Sequence, residues 1–183
     1  MRKLILAAAL LALAAPLHAQ NATDQSKAGQ GTVSAATKKF VNEAAITDMF
    51  EIQAGQLAQQ KANDSAYKDF AEMTIADHTK TTDQLKGMNL GVELPQQLDA
   101  AHKAKLDKLN QLSGAAFERQ YKTDQVQGHR QAIALFERYA KSGDNKELKQ
   151  FAQNTLPTLK KHLQHAQALP RPGGAPTTGS TRR

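Results

Sequence analysis

Apolar and small residues return at every third or fourth position through the middle of the chain. The pattern is cleanest from Tyr67, where Tyr67, Ala71, Thr74, His78, Thr81, Leu85 and Met88 make an unbroken 4-3-4-3 seam. That spacing keeps one face of an α-helix turned toward neighbouring helices. An imidazole stands in the seam where a bundle ordinarily carries Leu or Ile. Periodicity of the same kind predicts four long helices. The first covers 37–61, with Phe40, Val41, Ala44, Ala45, Met49, Ile52, Leu57 and Ala58 inward. The second follows the Asn63-Asp64-Ser65 turn, an N-cap signal, and runs to 86. The third covers 115–141, with Phe117, Tyr121, Gln125, Gly128, Ala132, Leu135, Phe136 and Tyr139 inward, and the fourth covers 146–169.

Gly87, Gly91 and Pro95 break the chain between the second and third helices. A shorter helix over 98–112 then sets Leu98, His102, Leu106, Leu109 and Leu112 on one side. The turns at 63–65 and 142–144 are short enough to make antiparallel hairpins of the first and last helix pairs. No stretch alternates with period two, so no strands are assigned. The predicted fold is all-α, a ferritin-like four-helix bundle with a short crossover helix between the second and third long helices. Pro157 removes one backbone donor inside the fourth helix and predicts a kink there rather than an end. An echo of Phe70-Ala71-x-x-Thr74-Ile75 in Phe151-Ala152-x-x-Thr155-Leu156 fits a fold built from two hairpins.

Both ends read differently. Arg2 and Lys3, an apolar run over 4–15 and Leu17-His18-Ala19 form a secretory signal peptide over 1–19. Its 12 apolar residues fall short of the roughly 20 that a spanning helix needs. Residues 20–36 read as a flexible leader, 37–169 as the domain, and 170–183 as a disordered tail rich in Pro, Gly and Arg. Removal of that tail is expected to leave stability nearly unchanged. The expected location is the periplasm or outer cell envelope. The chain has no cysteine, which leaves no lipoprotein anchor, disulfide or thiolate ligand.

The net charge of +7 changes this picture little. Over 38–169 the balance is 18 basic against 16 acidic residues, a mixed solvated surface rather than a phosphate-binding stripe. Nine aromatics at core spacing give no stacking platform, so nucleic acid is not an expected partner. The tail's arginines allow at most weak, salt-sensitive contact with anionic lipid, and the mature chain has no transmembrane segment.

The candidate chemistry lies in the seams. Glu51 falls on a small-residue face with Phe40, Ala44, Gly55 and Ala58. His78 is central in its seam, His129 sits at the edge of the third helix's inner face, and His162 joins Leu148, Ala152, Leu159 and Ala166. His78 and His129 each lie 14 residues from the start of their helices, which sets them level when the crossover returns the chain to the same end. Three neutral imidazoles and one carboxylate suit a single zinc, copper, iron or nickel ion. Asp77 is a candidate to support a ligand from behind. His102 reads as a packing or surface residue and His165 as solvated. No glutamate is followed by histidine at the Glu-x-x-His spacing of di-iron bundles, and no phosphate loop, nucleophile elbow or His-Glu-x-x-His is present.

Three functional readings follow: an exported, non-catalytic envelope protein binding one metal ion; a structural or stress-related envelope protein whose inward histidines form a hydrogen-bonded network; and, as a minor alternative, a metal-dependent oxidoreductase. In either reading Leu at position 78 is expected to be tolerated by the metal-free protein, less a cost of about 1–3 kcal/mol where it strands a fully buried partner. In the metal reading it is also expected to abolish stabilisation by added ion.

The run Phe70-Ala-Glu-Met-Thr-Ile-Ala-Asp-His78, the stretch from Leu112 through Phe117 and Tyr121 to His129, and Leu156-Pro-Thr-Leu-Lys-Lys-His162 carry a resemblance. They resemble the domain-of-unknown-function family 4142, exported bacterial proteins often labelled predicted outer membrane proteins. The resemblance implies a ferritin-like fold and export, and sets Asp77, His78, His129 and His162 on the family's recurrent positions. It implies no established activity.

Overall fold

A computed structural model of the protein describes residues 33–173. The expected signal peptide and most of the expected leader and tail lie outside the described residues. Five helices follow in order: α1 (Ala35–Lys61), α2 (Ser65–Gly87), α3 (Ala100–Gln111), α4 (Gly114–Ser142) and α5 (Lys146–Ala168). There is no strand among the described residues. No described helix is long and apolar enough to cross a membrane.

The boundaries follow from caps. Ser34 accepts a hydrogen bond from the Thr37 amide and starts α1 at Ala35, so the helix takes the last two residues assigned to the leader. Asp64, Asp99 and Asn145 cap α2, α3 and α5 in the same way. The crossover helix begins at Ala100 rather than 98 because Asp99 is its cap. α5 continues through Pro157, which sits on its exposed side. At the other boundary the tail does not begin freely at Pro170. The Tyr67 hydroxyl donates to the Pro170 carbonyl at 2.8 Å, Lys122 donates to the Leu169 carbonyl, and the Leu169 side chain is buried.

Two antiparallel hairpins, α1–α2 and α4–α5, pack with α1 against α4 and α2 against α5, while α3 leans on α1 and α4. Gly55 permits close approach within the first hairpin, since a Cβ there would fall 2.7 Å from Ile75 Cγ1. The hairpin turn is pinned from α4. The buried Glu118 carboxylate accepts the amides of Asn63 at 2.8 Å and Asp64 at 2.9 Å, groups that would otherwise have no partner near the helix start. At the opposite end Thr37 hydrogen-bonds Tyr139 and donates to Asp144 at 2.7 Å, joining the start of α1 to the α4–α5 turn.

The apolar core comes in two parts. One gathers Phe50, Ala54, Tyr67, Phe70, Leu109, Phe117, Tyr121 and Leu169. The other gathers Phe40, Val41, Leu85, Phe136, Tyr139, Leu148, Phe151 and Leu159. Between them every long helix carries buried polar side chains: Asp48 and Glu51 on α1, Thr74 and His78 on α2, Asp124, Gln125 and His129 on α4, and His162 on α5. Burying so many polar groups costs free energy unless each finds a partner. The polar layer is where the fold departs from a plain apolar bundle.

Candidate metal centre

Helical spacing delivers the three histidines to one point. His78 follows Thr74 in the α2 seam, His129 follows Gln125 on α4, and His162 follows Leu159 on α5; all three are at most 2% exposed. One ring nitrogen from each lies within 4.8 Å of those of the other two. The ring centroids are 5.7 Å apart for His78–His129, 5.4 Å for His78–His162 and 5.2 Å for His129–His162. The heights inferred for His78 and His129 hold, and His129 lies fully inside rather than at an edge.

Each ring is held from behind by an oxygen. His78 Nδ1 pairs with Asp48 Oδ1 at 2.7 Å, His129 Nδ1 donates to the Gln125 carbonyl at 2.9 Å, and His162 Nε2 pairs with Asp77 Oδ2 at 2.8 Å. A backbone carbonyl only accepts, so His129 carries its proton on Nδ1. With neutral rings and ionised carboxylates the same holds for Nδ1 of His78 and Nε2 of His162. The remaining nitrogens are then bare lone pairs. His129 Nε2 and His162 Nδ1 face each other at 3.3 Å, and His78 Nε2 is buried with no partner. Backing oxygens that fix the tautomer and orient the ring are the usual support of metal-binding histidine. Two nitrogens sharing a tetrahedral ion at bonds of about 2.0–2.1 Å would stand roughly 3.3 Å from each other.

Protonation follows the surroundings. Burial lowers His129, and burial with the charges of the other two histidines carries His162 down to about 4 against the opposing bond to Asp77. Burial also works against a charged His78, but the bond and charge of Asp48, with Glu51 and Asp77, outweigh it and raise that ring. Burial in turn raises the Asp48 carboxyl, against the lowering by His78.

Glu51 is beside this cluster, outside the histidine trio. Its charge acts on both His78 and His129. Its Oε2 accepts from Gln125 Nε2 at 2.6 Å, while Oε1 is buried without a partner. Asp77 reaches His162 across helices rather than its neighbour His78. Asp48, absent from the sequence reading, holds His78 and also accepts from Thr82 at 3.2 Å. Its signal was present: Val41, Ala44, Asp48, Glu51, Gly55 and Ala58 repeat the 4-3-4-3 spacing. His102 lies half-buried, with its Nδ1 against Asp99 at 2.8 Å and its ring on Phe50, and His165 is exposed, each away from the centre.

An all-helical fold with three buried histidines converging on one point defines a helical protein with a candidate metal-holding core. The chain matches the family described as a domain of unknown function, DUF4142, over residues 22–169, and it belongs to that family. No curated protein matches it. Among solved structures it is similar to the crystal structure of a DUF305 fragment from Deinococcus radiodurans, with a TM-score of 0.66 and 13% identity over 74% of this chain and 95% of that one. At that identity the likeness concerns the fold.

Proposed function

We propose that this protein is an exported, non-catalytic, ferritin-like four-helix-bundle protein of the cell envelope that binds one transition-metal ion in its core. His78, His129 and His162 supply three nitrogens, Glu51 turns its free oxygen in as a fourth ligand, and Asp48, Asp77 and the Gln125 carbonyl hold the rings. The observation that carries the reading is the pairing of bare nitrogens. With their other nitrogens committed to oxygens, His129 and His162 have lone pairs facing at 3.3 Å. Such a contact is repulsive until a cation enters it. A proton is disfavoured there, because both rings are lowered by burial. A borderline transition ion is favoured by nitrogen donors and loses little by leaving water for imidazole.

The competing structural reading fills the same gap with a shared proton between His129 and His162. Metal analysis decides between them. Untagged protein purified from periplasm, or apo-protein titrated with zinc(II), copper(II), iron(II) and nickel(II), is expected to hold one equivalent of at least one ion. Titrations showing no binding by the wild type for all four would leave the hydrogen-bonded network as the reading. Export is tested separately, by fractionating cells and sequencing the N-terminus of the mature chain, which is expected to begin at Gln20.

A further inference from the structure

We infer that the crevice between α1, α3 and α4 is the route by which the ion reaches the histidines, with Glu51 as its last handhold. The inference rests on the metal-binding reading and adds a path to it. The crevice encloses about 390 Å³ and is walled by Thr47, Phe50, His102, Gly128 and Gln131, with Glu51 at its inner end.

Three features of Glu51 point the same way. Its side chain is 1% exposed, yet it lines the crevice. One carboxylate oxygen is tethered to Gln125 and the other, Oε1, has no partner. A buried carboxylate oxygen without a donor is costly, and a passing or resident cation relieves that cost. Finally, Oε1 is reachable because α4 carries glycine opposite it. A Cβ on Gly128 would come within 3.2 Å of that oxygen. The side chain therefore joins the crevice to the cluster: it lines the crevice, its other oxygen is tied to Gln125, whose carbonyl holds His129, and Gly128 in the crevice wall directly precedes His129. The rim mixes Glu43, Asp99 and His102 with Lys105 and Arg138, so the rim is no trap by itself; the unpaired oxygen at the inner end is the attraction.

A second approach runs past Asp77, whose side chain is 40% exposed beside His162. The two routes are separable by kinetics. An obstacle on the true route slows binding and release together and leaves the dissociation constant unchanged, since it touches neither end state.

Stopped-flow binding and chelator-driven release of zinc(II) and copper(II) would be measured on the wild-type full chain and on three variants. Gln131→Trp and Ala134→Trp place a bulky ring on exposed crevice positions, and Lys80→Trp does so beside Asp77. Two crevice variants guard against one failing to fold, which circular dichroism checks. The expected result is about tenfold slowing of both rates in the crevice variants, with unchanged dissociation constant and with Lys80→Trp like the wild type. Wild-type rates in both crevice variants, or slowing in Lys80→Trp instead, would overturn the route while leaving the metal site intact. Weaker affinity at an unchanged association rate would overturn it too, by showing that these positions act on the bound state. A wild type that binds neither is taken to iron(II) and nickel(II), and one that binds none of the four would remove the proposed function, and the route with it.

Discussion

His78 and Asp48 form a buried pair, Nδ1 to Oδ1 at 2.7 Å, with side chains 3% and 4% exposed. His162 is paired in the same way with Asp77, but that carboxylate is 40% exposed. The two histidines therefore respond differently to removal. His78→Leu strands Asp48 in the core with only Thr82, and breaking such a pair costs about 3–5 kcal/mol. This reverses the expectation that leucine is tolerated in the seam. Urea unfolding of the metal-free variant measures the loss; a change below about 1 kcal/mol would show that Asp48 is readily solvated or neutralised.

His162→Gln is expected to behave otherwise. Water takes over the half-exposed Asp77, and an amide donor replaces one of the two facing lone pairs. Metal-free stability should stay within about 1 kcal/mol of wild type. The stabilisation by added ion, about 2.7 kcal/mol at a hundredfold excess over the dissociation constant, should disappear. Melting curves with and without zinc(II) or copper(II) read both effects in one experiment.

Acid should release the ion. His129 is lowered and His162 protonates only near about 4, whereas His78 is raised, so His78 is the ring whose proton an ion must displace. Affinity should fall about tenfold per pH unit below the His78 titration, with one proton released per ion bound. A second loss should begin near pH 4 as His162 protonates. The metal-free fold has its own acid limit. The unfolded chain takes a proton on this histidine at about 6.5 and the folded chain only near 4, so the folded state loses stability as pH falls between those values. His78 contributes in the opposite sense, stabilising at low pH and fading as pH rises through its raised value. Calorimetry in buffers of different ionisation enthalpy counts the released proton.

Glu118→Ala should destabilise by about 2–4 kcal/mol, since one buried carboxylate there accepts two amides at the α1–α2 turn. Glu118→Gln keeps a carbonyl acceptor and should recover about half of that loss. Denaturant unfolding of the three proteins checks the order.

The tail yields a graded result. A chain ending at Gly173 should melt like the full-length protein. Deletion from Pro170 removes the acceptor of the buried Tyr67 hydroxyl and should cost about 1–3 kcal/mol. Tyr67→Phe removes donor and bond together and should cost about 1 kcal/mol. Equal melting of the two truncations would show that the Tyr67 hydroxyl finds another partner.

Legibility in the sequence followed seam quality. Every residue of the α2 seam from Tyr67 to Leu85 is buried, His78 among them, and the helix also buries Phe70 beside the seam. On α1 the reading favoured large apolar residues and turned Met49, Ile52 and Leu57 inward. The structure leaves those three half-buried and buries Asp48, Phe50 and Ala54 instead. Hydrophobicity misled there because the inner stripe passes through the polar layer, where an acid is wanted. Helix faces turned His78, His129 and His162 inward and helical heights set His78 and His129 level; the sequence reading assigned no height to His162, which the structure brings to the same point. Their backing oxygens were harder to see. Asp77 belongs to a ring on another helix, and the Gln125 carbonyl has no side-chain signature. Tyr67's bond to Pro170 joins residues 103 apart through a backbone atom, which no local pattern encodes.

The division of the core into two apolar clusters makes the domain resemble two arches that meet over a gap. Without an ion, motion at the Tyr67–Tyr121 end need not be felt at the Phe40–Tyr139 end, because the span between them is polar and incompletely bonded. An ion held there would be a keystone, bridging α2, α4 and α5 at mid-height and making the two ends open as one. Metal supply would then set how long the chain survives near proteases, for a protein that opens by halves is cut sooner than one that must open whole.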